Sequence, residues 1–349
     1  MPEFRESDIL YMHMLSGLVL SAEPAAPIEG IEKWDEFWAT ADAHHVLVRS
    51  GLALKRFAGA QSSGTDDVVD IEQARIVAVF DRLPAILSEF EAADIGVVVI
   101  KSLDHWPDFG SDIDLFTDAP ESVVSTMMRN RFEAEVVPPT LGDRLANKVN
   151  FRVPGLAELV EVHYGRLGQT GEHVELARRV LDRRRVECFN GSYVPVPAPE
   201  ERLILATLQR MYRHFYIRIC DIANAARIVQ SGELDFDELR HASKRAGIWP
   251  GVATYLKLVS QYVEHYRGDR LKLPFRVYSA ARFGLKKLYP HAGFLRLPLF
   301  PQAVSLYTRQ LSKSVRRDAA ASLRLSLLPP LAAAAGAKYR LTGSDKGVW

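Results

Sequence analysis

The segment 112–116, Asp-Ile-Asp-Leu-Phe, constrains the fold of this chain more than any other feature. Acidic and apolar side chains alternate there with the two-residue period of a β-strand. One face of such a strand carries both Asp112 and Asp114, and the opposite face meets an apolar core. The sequence therefore predicts a half-buried strand that presents two carboxylates to one side of a sheet.

Two carboxylates this close repel each other unless a cation lies nearby, because no basic residue separates them. Oxygen ligands on a stiff strand suit Mg²⁺, which takes one or two protein carboxylates and completes its octahedron with water and phosphate. Upstream, the apolar segment 95–100 runs into a turn at Lys101 and Ser102, and nine residues separate Ser102 from Asp112. The pattern predicts chemistry on a nucleoside triphosphate.

Composition limits the class of protein. The 349 residues are 48% hydrophobic and 25% charged, as in an ordinary globular protein, and the net charge is +1. No overall field attracts long nucleic acid or an anionic membrane. The cysteines, Cys188 and Cys220, have neither metal-site spacing nor a disulfide framework, which predicts a cytoplasmic location. The sequence contains no run of 18 apolar residues, so no membrane span is expected. A secretory signal begins with basic residues, whereas acidic residues precede the apolar segment 9–20.

The pattern of elements predicts an α+β fold in three parts. Residues 1–70 form an N-terminal helical segment, residues 71–195 a core with strands, and residues 196–349 a helical C-terminal domain that follows the proline-rich stretch 195–199. In the core we expect a helix over 71–92 that is broken or kinked at Pro84, a helix over 120–130 capped by Asp118, and a basic helix over 174–185. Strands are expected over 97–100, 113–117, 148–153 and 159–164. Residues 200–230 are expected to be helical, as are 275–325.

A third acid completes a site of this kind, and Glu161 is the best candidate. It lies in the predicted strand 159–163, where Val160 and Val162 face one way and Glu161 and His163 the other. With Asp112 and Asp114, this third acid would complete a two-metal site, in which one ion aligns the attacking oxygen and the other holds the phosphates.

Basic side chains on neighbouring elements are candidates for contacts with phosphate. Lys148 and Arg152 have matching parity on the preceding strand, and His163 shares the face of Glu161. Arg213 belongs to a helical cluster with Arg210, His214 and Arg218, which either binds an anion or forms a solvated face. Asp221 in the same run predicts an ion pair with a nearby arginine, because an unpaired buried acid is costly.

These residues resemble the DNA polymerase β-like nucleotidyltransferase superfamily in the order serine, nine residues, Asp-apolar-Asp. Residues 30–270 are also similar to the bacterial uncharacterised nucleotidyltransferase family. The landmarks of that resemblance are the segments 34–54, 93–102, 112–116, 160–164 and 200–224.

The resemblance implies a short mixed sheet with helices, beside a helical C-terminal region. It implies that Asp112, Asp114 and Glu161 are catalytic and bind two Mg²⁺ ions. Lys101, Ser102, Lys148, Arg152, His163 and Arg213 would contact the nucleotide, with ATP as the default donor. A nucleoside monophosphate would pass to an acceptor with release of pyrophosphate.

Two points leave alternatives open. The superfamily turn usually carries glycine, where this chain has Lys101 and Ser102, so a catalytically degenerate nucleotide-binding or regulatory protein is the alternative. The acceptor is unidentified, and the near-neutral charge favours a small molecule or a protein over long nucleic acid.

Overall fold

A five-stranded mixed sheet lies at the centre of the protein in the computed structural model, which describes residues 6–21, 31–58, 65–291, 293–316 and 318–342. The sheet strands are β1 (Val97–Val99), β2 (Asp112–Thr117), β3 (Glu135–Val136), β4 (Lys148–Arg152) and β5 (Leu159–Tyr164). Their order is β1-β2-β5-β4-β3, and only β2 and β5 pair in parallel.

Helices surround this sheet on both faces. The helices before residue 199 are α1 (Glu6–Leu20), α2 (Trp34–Ala43), α3 (Leu47–Ala58), α4 (Thr65–Ala92), α5 (Glu121–Phe132), α6 (Leu141–Ala146) and α7 (Glu175–Asp182). The later ones are α8 (Pro199–Thr207), α9 (Ile219–Gln230), α10 (Phe236–Arg245), α11 (Trp249–Arg267), α12 (Phe275–Ala280), α13 (Val304–Val315), α14 (Ala319–Leu325) and α15 (Leu328–Thr342). None of the helices in the described parts of the chain has the length and apolarity that crossing a bilayer demands.

Shorter strands lie outside the central sheet. They form the hairpin β6 (Arg184–Phe189) with β7 (Ser192–Pro197), and a small sheet of β8 (Tyr216–Ile217), β9 (Tyr289–His291) and β10 (Phe294–Arg296).

The two faces of the central sheet belong to different cores. Ile113 and Leu115 of β2 and Val160 and Val162 of β5 are fully buried in a core shared with α4 and α5. Phe116 points the other way, with Val98 and Ile100, into a core built mainly from α8, α9 and α11. This second face also carries the acidic residues of β2, so the helical C-terminal region packs beside them.

A third core joins the N-terminal helices to α9. Leu15, Phe37 and Leu54, one from each of α1, α2 and α3, pack there with Ile219 and Cys220. The N-terminal segment is thereby attached to the C-terminal helices.

The predicted strands of the central sheet are confirmed, and several predicted helices differ. The N-cap of α5 is Pro120 without a side-chain cap, so the Asp118 cap is wrong. Helix α4 runs through Pro84 as one element. Helix α7 ends at Asp182 with Arg183 as its C-cap, and Arg184 and Arg185 belong to β6. The hairpin returns through a two-residue turn at Asn190 and Gly191.

The helical stretches predicted for 200–230 and 275–325 are interrupted. A π-helical segment, Leu208–His214, and strand β8 separate α8 from α9. Strands β9 and β10 lie between α12 and α13. Because β8 and β10 pair across 78 residues of chain, local periodicity could not reveal them.

Candidate active site

The turn after β1 places Lys101 and Ser102 beside β2. Lys101 has φ of 61° and ψ of −53°, and the Ser102 N–H donates to Ile100 O at 2.6 Å. This is a γ-turn whose central residue has positive φ, a strained conformation that is uncommon away from glycine. The turn directs the Lys101 side chain over the acidic face of the sheet.

Ser102 ties the turn to β2. Its hydroxyl accepts the Asp114 N–H at 2.8 Å and donates to Asp112 O at 2.9 Å, and the residue is only 2% exposed. Both donors of Ser102 are therefore used internally. To contact phosphate as predicted, the N–H and the hydroxyl of Ser102 would have to release Ile100 O and Asp112 O. The hydroxyl positions Asp114 by accepting its N–H.

The register of three strands brings the charged side chains together. Asp114 lies opposite Glu161 in the parallel pair β2–β5, and Lys148 lies opposite His163 in the antiparallel pair β4–β5. Residues that are opposite in a ladder project to the same face. Asp112 is on the same face, two residues before Asp114, so the alternation predicted from sequence builds one acidic surface.

Two lysines neutralise this surface. Lys101 Nζ lies 2.7 Å from Asp114 Oδ1 and 3.8 Å from Glu161 Oε1. Lys148 Nζ binds Glu161 Oε2 and lies 3.1 Å from Asp143 Oδ1. Lys148 therefore lies in the site, as its parity predicted.

His163 lies beside both Asp114 and Glu161. Its Nε2 lies 2.7 Å from Glu161 Oε1, 3.5 Å from Asp114 Oδ1 and 3.3 Å from Lys101 Nζ. Ligand atoms of Asp114, Glu161 and His163 all lie within 4.8 Å of one another. This donor set fits one divalent cation. Asp112 is not part of that close group.

The environment shifts the pKa values of Asp112 and Glu161 in opposite directions. Burial and the charges of Asp114 and Glu161 raise the pKa of Asp112, with only small opposing effects from Ser111 and Lys148. Burial also disfavours the charged form of Glu161, but His163, Lys101 and Lys148 outweigh it and hold the pKa of Glu161 well below its usual range. Glu161 is thus a fixed negative charge at neutral pH.

A basic wall faces the acids across a cleft of about 230 Å³. It comes from the Leu208–His214 segment and the residues that follow, and includes Arg210, Arg213, His214 and Arg218. Arg210 is 1% exposed and pairs with Asp221 at 2.7 Å, which confirms the predicted ion pair of that acid.

The outer arginines of this wall have capacity for an anion. The Nε atoms of Arg213 and Arg218 are buried, and neither has a hydrogen-bond partner among the described residues. A guanidinium offers five donors in a planar fork that matches phosphate oxygens. Arg213, which the sequence predicts to contact the nucleotide, lines this cleft.

The structure does not bring Arg152 to this cleft. Its side chain is exposed at the far end of β4, opposite Leu159, and four residues from Lys148. At about 3.3 Å per residue, that is roughly 13 Å along the strand. Matching parity fixed the face of Arg152 but not its distance from the acids.

Two histidines and a tyrosine that the sequence prediction did not include also line the cleft. His45 and His105 stack at 5.3 Å with an angle of 9° between their rings, and burial lowers the pKa of both, to about 2 for His45. Tyr216 lies under the guanidinium carbons of Arg210 and Arg218 at 5.4 and 5.7 Å. No local signal marks these residues, because separate elements bring them together.

Comparison with known proteins adds little to this geometry. No protein-family model matches the chain, and no curated protein matches it either. A solved structure that it matches is that of an antigenic nucleotidyltransferase-like protein from Paracoccidioides brasiliensis, with 17% identity over 52% of this chain and 92% of the other. The TM-score is 0.31, and at that value the likeness establishes neither a shared fold nor an activity.

Proposed function

We propose that this protein is a metal-dependent nucleotidyltransferase with a polymerase β-like core. It would transfer a nucleoside monophosphate from a nucleoside triphosphate, with ATP as the default donor, to a small-molecule or protein acceptor. The observation that carries the proposal is the cleft itself. Carboxylates from two parallel neighbouring strands, Asp114 and Glu161, line a cleft of about 230 Å³ together with the arginine wall.

Charge complementarity supports a triphosphate in this cleft. Arg213 and Arg218 offer donors on one side, and Lys101 and Lys148 lie on the other. A triphosphate between them would exchange its water contacts for basic groups that the protein already holds close together. A divalent ion such as Mg²⁺, held by Asp114 and Glu161, would neutralise charge on the phosphate oxygens.

In the proposed reaction, the oxygen of an acceptor hydroxyl attacks the α-phosphorus, and the hydroxyl proton passes to solvent. The bond from that phosphorus to the bridging oxygen of the β-phosphate breaks, and pyrophosphate leaves. The protein contributes mainly by positioning and by charge neutralisation, since little covalent chemistry is required of it. Asp112 also lines the cleft and takes no part in the ion pairs of Lys101 and Lys148 with Asp114 and Glu161.

The alternative is a nucleotide-binding protein of the same fold that has lost turnover. One observation favours it: Lys101 and Lys148 already pair with Asp114 and Glu161. A protein that only binds nucleotide needs the basic groups of the cleft and has no need of a reactive acidic centre.

The test is melting of the wild type with each of ATP, GTP, CTP and UTP, with and without Mg²⁺, beside the variants Asp112→Asn and Asp118→Asn. Asp118 is exposed just past the end of β2 and serves as the matched control. Ligand at about 100 times its dissociation constant adds roughly 2.7 kcal/mol to stability. We expect a Mg²⁺-dependent shift with one nucleotide in the wild type and in Asp118→Asn, and a smaller shift in Asp112→Asn.

Turnover is then measured with triphosphate labelled at the α- or the γ-phosphorus. Transfer of α-label to an acceptor, without transfer of γ-label, supports a nucleotidyltransferase, and loss of that transfer in Asp112→Asn supports the assigned site. Binding without any transfer favours the degenerate alternative. Transfer of γ-label, or melting that no nucleotide changes, contradicts the proposal.

A further inference from the structure

The Lys101 ammonium lies where a metal ion would bind. Its Nζ is 2.7 Å from Asp114 Oδ1, 3.3 Å from His163 Nε2 and 3.8 Å from Glu161 Oε1. These are the three residues whose ligand atoms converge. The side chain is 15% exposed, and the γ-turn at its own backbone aims it inward.

An ammonium in this position compensates the acids electrostatically. Glu161 has a second cation in Lys148, but among the ion pairs of the described residues Lys101 is the lysine that contacts Asp114. Removing Lys101 would leave a carboxylate pair on adjacent strands with a single lysine against it. Two partly buried carboxylates with one compensating charge attract a further cation strongly.

The donor set has a chemical preference. Two carboxylates with one imidazole differ from the all-oxygen sphere that Mg²⁺ favours. First-row transition-metal ions bind imidazole nitrogen more readily than Mg²⁺ does, and Mn²⁺ among them is also suited to carboxylates. His163 is 5% exposed and held against Glu161, so its nitrogen is oriented without a metal.

We propose that Asp114, Glu161 and His163 form a mixed nitrogen and oxygen site for one divalent ion that prefers Mn²⁺ to Mg²⁺, and that the Lys101 ammonium holds this position when no metal is bound. The inference rests on the proposed function in placing metal chemistry in this cleft, and it adds the metal class and the competing group. Metal entry requires Lys101 to leave, and an anionic triphosphate in the cleft gives the displaced ammonium a new partner.

The test measures metal alone, without nucleotide. MnCl₂ is titrated into the wild type, Lys101→Met and Arg152→Met, and free Mn²⁺ is followed by electron paramagnetic resonance. Arg152→Met removes the same charge from the same sheet face at a distance from the cleft. We expect Lys101→Met to bind Mn²⁺ about tenfold tighter or more, and Arg152→Met to match the wild type. Equal affinity in Lys101→Met and the wild type, or weaker binding in the variant, would overturn the role of Lys101.

A second variant keeps the test decisive if Lys101→Met does not fold. Lys101→Gly also removes the ammonium and suits the positive φ of the turn. Its folding is checked by circular dichroism, and the same gain in Mn²⁺ affinity is expected. Lys101→Arg retains a cation and should bind Mn²⁺ no tighter than the wild type.

The ligand role of His163 is tested in the Lys101→Met background. Adding His163→Gln replaces the nitrogen donor by oxygen. We expect the preference for Mn²⁺ over Mg²⁺, measured by competition, to shrink by about tenfold. An unchanged preference would remove His163 from the site.

These measurements separate this inference from the proposed function. If Mn²⁺ binds as expected but no triphosphate changes melting, the metal site stands and the transferase proposal fails. If α-label is transferred to an acceptor and Lys101→Met gains no Mn²⁺ affinity, the proposed function stands and the role of Lys101 in occupying the metal position is wrong.

Discussion

Single residues in the turn after β1 meet two demands at once. The backbone of Lys101 adopts a conformation that glycine tolerates better, while its side chain supplies a cation that glycine lacks. The resemblance drawn from sequence expects glycine in this turn. The ion pair with Asp114 gives a physical reason for lysine to occupy a strained position.

The strain predicts an inverted order of stability for two variants. Lys101→Gly and Lys101→Ala both lose the ammonium. They differ only in the Cβ of alanine, which restricts the backbone conformation. At an ordinary site alanine is the more stable, whereas at this φ of 61° we expect Lys101→Gly to exceed Lys101→Ala by about 1 kcal/mol. Urea unfolding of both variants measures the difference. A more stable Lys101→Ala would show that the turn carries no strain.

Ser102 gives a prediction about positioning. Ser102→Ala removes a buried hydroxyl that bonds to Asp114 N and Asp112 O, so we expect a loss of about 1–3 kcal/mol in the free energy of unfolding. Ser111→Ala is the control, because Ser111 is exposed and bonds only at the surface to Asp112 Oδ2. It should change stability by less than about 0.5 kcal/mol. Equal effects in the two variants would contradict a structural role for Ser102.

At this scale the sequence indicated the faces of side chains better than their partners. Parity grouped Asp112 with Asp114, and Glu161 with His163, on one face of each strand, because a strand has a period of two residues. Strand register, which parity does not give, brings these faces together with Lys148. Parity could not reveal that Lys101 and Lys148 pair with the acids. That pairing depends on strand register and on a turn conformation that no residue pattern encodes.

Elements differ in how far their own sequence defines them. Strands β2 and β5 were predictable because one face of each is apolar and buried throughout. The hairpin of β6 and β7 was missed, although Asn190 and Gly191 carry the sequence signature of its two-residue turn. The arginines at 183–185 obscured it, since they continue the polar pattern of α7.

The Leu208–His214 segment could not have been predicted from periodicity. Arg210 within it is held by Asp221 of α9, and the two side chains are 1% and 4% exposed. The geometry of the basic wall therefore depends on a buried pair contributed by two elements. The helix propensity of either segment alone does not predict that Arg210 and Asp221 pair.

This pair predicts a large effect of one substitution. Asp221→Asn leaves the Arg210 charge buried without its partner, and we expect a loss of about 3 kcal/mol or more in unfolding free energy. Asp237→Asn is the matched control, because the Asp237–Arg276 pair has side chains that are 73% and 33% exposed. It should cost less than about 1 kcal/mol. Chemical denaturation of both variants checks the comparison, and a mild effect of Asp221→Asn would contradict the dependence of the wall on this pair.

At the scale of the whole molecule, His44 connects three regions that are distant in sequence. It follows α2, its Nδ1 accepts the Ile219 N–H at 3.0 Å, and its Nε2 donates to Gly293 O at 2.7 Å. These two bonds require the neutral ring with its proton on Nε2. The N-terminal helices are thus joined to α9 and to Gly293, the residue before β10, which pairs with β8 beside the arginine wall.

His44 therefore predicts a defined dependence of stability on pH. Burial, opposed by the bond to Gly293, lowers the pKa of His44 from 6.5 to about 4. The unfolded chain takes up a proton near pH 6.5 and the folded chain only near pH 4, so stability is full above pH 6.5 and falls as the pH drops toward 4. Each unit of pKa difference is worth about 1.4 kcal/mol, so the loss reaches roughly 3 kcal/mol.

The measurement is urea unfolding of the wild type and His44→Asn between pH 7.5 and 4. Asparagine offers an oxygen near the position of Nδ1 for the Ile219 N–H but does not titrate. The variant should be less stable at pH 7.5, because it loses the bond to Gly293, and its stability should fall less steeply with acid. Other buried histidines, such as His105 and His173, are present in both proteins, so the difference between the two curves isolates His44. Parallel curves would contradict the assignment of this pH dependence to His44.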